Sequence, residues 1–130
     1  MLVDTSVWID FFNDRDNAAT QLLAYSVSNC PITINGLIYT EILQGIRVDK
    51  EYAQVKSILD NLDYLEIDKT IHLNAATIYR KLRKKGITIR STIDCIIAAS
   101  AIESGEILLH NDVDYVHIEK HSRLKVAKLS

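Results

Sequence analysis

One proline, four glycines and two cysteines are all that 130 residues contain, and each shortage excludes something. Without proline-rich or glycine-rich stretches there is no linker and no low-complexity tract, so residues 1–130 read as a single domain. Cys30 and Cys95 lie far apart and outside any CxxC pair, which suits reduced thiols better than a disulfide framework. Both read as reduced thiols packed like small buried hydrophobes. Apolar runs stay well short of the ~20 residues of a membrane span. The apolar start carries Asp4 and Asp10 with no basic segment ahead, unlike a secretory signal, so a cytoplasmic protein without a membrane partner is expected. The glycine motifs of P-loops, dinucleotide folds and nucleophile elbows are missing. His117 and His121 have the spacing of half a zinc site, but no second ligand pair accompanies them.

Against these absences stand 48% hydrophobic and 25% charged residues, enough for a chain of this length to bury roughly two thirds of its unfolded surface without a metal or disulfide. The net charge of −2 gives the whole molecule no general attraction for nucleic acid. The charge is uneven, however. Arg80, Arg83, Lys84 and Lys85 lie in the run RKLRKK, Arg90 follows, and Lys120, Arg123, Lys125 and Lys128 add a basic end. A local basic face is therefore available to phosphates.

Short apolar or β-branched segments predict strands at residues 1–3, 32–34, 64–67, 106–110 and 116–118. Between them, apolar residues at helical spacing and capping side chains predict helices: one opening at Asp4-Thr5-Ser6, then 16–29, a segment capped by Asn35 through about 47, 49–61, 68–85 ended by Gly86, and 91–103. Strands alternating with helices predict an α/β fold, a three-layer α/β/α sandwich around a central parallel sheet of about five strands. In such sheets ligands gather beyond the carboxyl ends of the strands.

Several acids fall at those ends. Asp4 follows the first strand and Asp112 and Asp114 follow the fourth, where helix capping and turn formation are sufficient explanations taken singly. Asp94 has such an explanation too, because Ser91-Thr92-Ile93-Asp94 matches a capping box. Yet its helix is apolar nearly all round, and a helical projection puts Asp94 beside Ile97, Ala98 and Ala101. Glu41 lies at the margin of the apolar face of NGLIYTEILQGIR. Acids converging in apolar surroundings raise one another's pKa unless a cation intervenes. A hard divalent ion such as Mg²⁺ takes oxygen ligands and resolves the conflict, which suits chemistry on phosphate esters.

These residues resemble a known pattern. Asp4-Thr5-Ser6-Val7-Trp8-Ile9-Asp10 is similar to the opening of PIN-domain ribonucleases, most closely the VapC toxins of toxin-antitoxin pairs. Glu41 to Arg47 resembles their second motif, Asp94 to Ala99 the third and Asn111 to Tyr115 the fourth, in order along the whole chain. The resemblance implies a PIN-like nuclease domain and a metal-dependent endoribonuclease using Mg²⁺ or Mn²⁺, with products bearing 5′-phosphate and 3′-hydroxyl ends. It implies catalytic Asp4, Glu41, Asp94 and Asp112, with Asp4, Asp94 and Asp112 on the metal and Thr5, Ser6 and Asp114 as auxiliaries. RNA approaching an acidic pocket meets repulsion, so the basic residues Arg80, Arg83, Lys84, Lys85 and Arg90 are expected to bind its flanking phosphates. The resemblance also implies a small cognate antitoxin and a homodimer. Two residues depart from the pattern: His110 stands where many relatives have Thr or Ser, and Tyr115 where Phe is usual. A housekeeping RNA-processing nuclease, or a PIN domain used only for binding RNA or protein, are the alternatives.

Overall fold

The computed structural model describes residues 1–129. Its four strands, β1 (Leu2–Val3), β2 (Thr33–Asn35), β3 (Asp63–Leu65) and β4 (Leu108–Leu109), pair in parallel in the order β3-β2-β1-β4. Leu2 pairs with both Thr33 and Leu108, so β1 is central, and Leu2 and Val3 are fully buried. The seven helices are α1 (Thr5–Phe12), α2 (Ala18–Asn29), α3 (Gly36–Gln44), α4 (Asp49–Asp60), α5 (Lys69–Lys84), α6 (Thr92–Ser104) and α7 (Val113–His121).

From β1 to β3 the chain steps repeatedly one way across the sheet, and from β3 to β4 it returns past β1. Right-handed crossovers therefore place α1 to α4 on one face and α5 to α7 on the other. The packing agrees, with α1 against α2 and α3 on one side and α5 against α6 and α7 on the other. The direction of winding reverses between β1 and β4, and that reversal opens the crevice in which open α/β sheets bind ligands.

The expected fifth strand at 116–118 is a correction: those residues lie in α7. Val116 and Ile118 alternate with His117 as in a strand, but the buried face is Asp114, Tyr115 and Ile118, a helical spacing, and the Asp112 side chain caps it by accepting from Asp114 N. The sheet is extended instead by an isolated parallel bridge between Leu108 and Val126. A second correction concerns Cys30. It is exposed, because it ends α2 in extended backbone, whereas Cys95 is buried in α6.

Local chemistry fixes the elements that carry acids. Trp8 is fully buried in α1, stacked 5.6 Å from Phe12 and edge-on 6.1 Å from Phe11, which holds the helix that follows Asp4. Gly105 ends α6 at φ 70°, where glycine carries no Cβ penalty, and Glu106 N then donates to Ala101 O. That reversal turns the chain into β4.

Candidate active site

Three helices begin at the β1/β4 crevice, and an aspartate caps two of them. Asp4 caps α1, with Oδ2 accepting from Ser6 N at 3.3 Å and Ser6 Oγ at 2.6 Å. Asp112 caps α7, its Oδ1 accepting from Asp114 N at 2.9 Å. Ser91 caps α6 through Ile93 N rather than through residue 94, so the capping box that would account for Asp94 does not form. Asp94, in the first turn of α6, is thereby free of capping duty.

Asp94, Asp112 and Asp114 each offer an oxygen within 4.8 Å of the other two. Asp4 stands beside this trio without joining it, linked to Asp94 through the Tyr115 hydroxyl, which donates to Asp4 Oδ1 at 2.8 Å and reaches Asp94 Oδ1 at 3.3 Å. Asp114, expected from the sequence as an auxiliary, is thus grouped with Asp94 and Asp112 more directly than Asp4 is. Glu41 is further removed. Its Oε1 accepts from Thr5 Oγ1 at 2.8 Å, so it reaches the site through the residue next to Asp4.

The electrostatics follow from this crowding. Asp94 has its pKa pushed up to about 7, by burial first and then by the charges of Asp4, Asp112 and Asp114. Cys95 is raised to about 11 by burial and by the neighbouring Asp94 and Asp114, which keeps it a thiol. His110 is lowered by burial, although Asp4 and Asp112 pull the other way. Its Nδ1 accepts from Asp112 N at 3.1 Å, so the ring is neutral on that side and helps set the turn. The donor set is carboxylate oxygen throughout, the chemistry that fits Mg²⁺ or Mn²⁺ rather than zinc.

Of the five basic candidates, Arg90 reaches the acids. Its guanidinium lies 2.9 Å from Asp112 Oδ1 and 3.4 Å from Asp114 Oδ2, and its backbone N–H donates to the latter at 3.3 Å. Arg80, Arg83, Lys84 and Lys85 are exposed on or just beyond α5, with Arg83 stacked 5.7 Å over the Tyr79 ring. Arg90→Ala is therefore expected to lower the melting temperature of the metal-free protein and to shrink that loss in 0.5 M NaCl, where an exposed pair is screened. A loss that is the same at low and high salt would show that the guanidinium acts by packing rather than by charge.

The sequence marks Tyr115 only as a replacement for phenylalanine and Arg90 only as a contact for RNA. A signal for the former is present: Tyr115 follows the cap Asp112 by three residues, which carries it onto the buried face of α7. A cleft of about 390 Å³ between α1, α3 and α4, lined by Ile9, Phe12, Ile42, Val55 and Ile58 together with Asn13, Glu51 and Gln54, includes none of the three clustered acids. It offers no phosphate chemistry.

Comparison with known proteins shows the family and the fold. The PIN domain family matches residues 1–121. Ribonuclease VapC11 of Mycobacterium tuberculosis is 33% identical over 98% of this chain and 97% of its own length. Among solved structures, VapBC2 from Rickettsia felis, bound to a DNA fragment from its promoter, has TM-score 0.79 at 17% identity, covering 99% of this chain and 98% of that one. A toxin-antitoxin complex from Klebsiella pneumoniae has TM-score 0.64 at 18% identity, covering 82% of each chain. At such identities the structural likenesses establish the fold. Among the described residues, no helix is long and apolar enough to cross a membrane.

Proposed function

This chain belongs to the PIN-domain family, and from that premise we propose that it is a metal-dependent endoribonuclease acting as the toxin of a toxin-antitoxin pair. The observation that carries the reading is the carboxylate trio Asp94, Asp112 and Asp114 at the reversal between β1 and β4. VapC11, similar along its whole length, is named a ribonuclease, and the Klebsiella pneumoniae neighbour is a toxin-antitoxin complex. These support a ribonuclease and a small antitoxin partner, and a homodimer is proposed with them.

Asp94, Asp112 and Asp114 would hold Mg²⁺ or Mn²⁺, with Asp4 contributing from across the Tyr115 hydroxyl. Bound there, the ion would supply Lewis acidity toward a phosphodiester oxygen and an attacking water. The chain's own residues do the rest. Ser6 fixes the rotation of Asp4 through two bonds to Oδ2. Thr5 holds Glu41 by Oε1, leaving Oε2 to accept a proton from water at the site margin. The amino ends of α1, α6 and α7 add positive potential, which offsets part of the repulsion an incoming phosphate meets from the acids.

Arg80, Arg83, Lys84, Lys85 and Arg90 are proposed to bind flanking phosphates of the RNA. Replacing Lys84 and Lys85 together by Ala should raise KM for RNA several-fold and leave kcat in place. The dependence of log affinity on log salt should become shallower by about 0.7 for each phosphate no longer neutralised. An unchanged salt slope removes these lysines from the RNA path.

The experiment for the function is expression of wild type and Asp94→Asn in a bacterial host, with mapping of RNA ends that carry 5′-phosphates. The expected result is growth arrest and new cleavage ends with wild type alone, and EDTA-sensitive cleavage by the purified protein. Matching end profiles with no EDTA-sensitive activity would sink the nuclease reading. Active enzyme that leaves growth untouched would instead favour an RNA-processing role.

A further inference from the structure

Tyr115 is fully buried, its ring 5.0 Å from that of His110. A buried phenol requires a partner for its O–H, and this one has two, Asp4 Oδ1 at 2.8 Å and Asp94 Oδ1 at 3.3 Å. Where both carboxyls are ionised, the hydroxyl is the donor toward each and its single proton is shared between them. We propose that Tyr115 is a positioning residue of the acidic site: its hydroxyl ties Asp4 to Asp94, fixes the rotation of both carboxylates and so sets how the acids present their remaining lone pairs to a divalent cation. This inference rests on the metal-dependent reading above and assigns a role that the family resemblance does not carry, since Phe is usual at this position.

The two ends of Asp4 are held differently. Ser6 takes Oδ2 and Tyr115 takes Oδ1, which leaves the side chain no freedom to turn. Tyr115 reaches Asp94 through Oδ1, with Oδ2 outside the tie. Without a shared donor, two neighbouring carboxylates repel and adopt rotamers that separate them. Burial, together with Asp4 and Asp94, pushes the phenol pKa far above its ordinary value, so the O–H stays a donor. Because the side chain is buried, it acts on RNA only through the acids it holds. Packing alone would be served equally by phenylalanine.

The test is Tyr115→Phe, which keeps the ring and removes one oxygen. Mn²⁺ binding followed by electron paramagnetic resonance should weaken about tenfold or more, as expected when a group orienting metal ligands is lost. Under saturating RNA kcat should fall while KM for RNA stays as in wild type. Equal Mn²⁺ affinity in the two proteins overturns the tie. Wild type that binds no Mn²⁺ overturns the metal-dependent reading beneath it. A second measurement needs no variant: in wild-type protein the shared hydroxyl proton should give a slowly exchanging proton resonance that moves as Mg²⁺ is added. A resonance that stays fixed while the site saturates overturns the tie as well.

Discussion

Asp94→Asn is expected to abolish RNA cleavage and, in EDTA at pH 8, to make the protein more stable than wild type. The loss of activity follows from removing a charged oxygen donor from the trio, with a cost of about 100-fold or more. The gain in stability follows from the pKa of about 7 against an ordinary value of 3.8. A carboxyl raised in this way binds its proton more tightly when folded, so between about pH 4 and pH 7 the native state carries the extra proton. Stability from this group accordingly declines as pH rises through that window and is level above about pH 8. Taken whole, the difference converts to roughly 4 kcal/mol. Asp94 is partly exposed, and solvent screening brings the figure to about 1–2 kcal/mol. Asparagine carries no charge, so the melting temperature should rise by about 4–8 °C at pH 8 and by roughly a quarter as much at pH 4.5, where only the unfolded carboxyl is ionised. Thermal melts of both proteins in EDTA at the two pH values check this. A variant less stable than wild type at pH 8 would mean that the surroundings stabilise the carboxylate and that the acids do not repel one another in the folded protein.

Divalent metal should bind with an affinity that depends steeply on pH just below neutrality. Ligand carboxylates must be ionised before they bind, and with a pKa of about 7 Asp94 is roughly one tenth ionised at pH 6 and nine tenths at pH 8. The Mg²⁺ dissociation constant should therefore be about tenfold larger at pH 6 than at pH 8. Calorimetric titrations at the two pH values, in buffers of different ionisation enthalpy, should also show close to one proton released per ion at pH 6. At pH 8, Mg²⁺ at a hundred times its dissociation constant should stabilise the protein by about 2.7 kcal/mol, and EDTA should reverse the effect and stop cleavage. An affinity equal at both pH values would show that Asp94 is not among the ligands, whatever the enzyme's activity.

The two expectations draw on different parts of the chain's information. Which segments are helices was largely legible because capping and periodicity are local: Asn35 caps α3 through Ile38 N and Asp68 caps α5 through Ile71 N, as the side chains at those positions allow. Local rules failed at residues 116–118, where the alternation Val-His-Ile imitates a strand over three residues and only the longer span from Asp112 shows the helix. At Ser91-Thr92-Ile93-Asp94 the apolar surroundings of Asp94 weigh against the capping explanation that the spacing offers. A capping box is compatible with that spacing, but Ser91 bonds one residue earlier and Asp94 turns to the crevice.

The sequence by itself determined the α/β order of elements, the family and the set of acids at the element junctions, because each of these rests on residues a few positions apart. What it left open was which acids meet. Tertiary structure decided that through the placement of β4 beside β1 and through contacts between residues far apart in the chain. Asp114 joins Asp94 and Asp112, the Arg90 guanidinium sits against Asp112 and Asp114, and a tyrosine hydroxyl stands between Asp94 and Asp4. Carboxylate charges interact over a few ångströms and are blind to sequence distance, so their grouping, and with it the pKa of Asp94, emerges only when strand order brings the ends of β1 and β4 together.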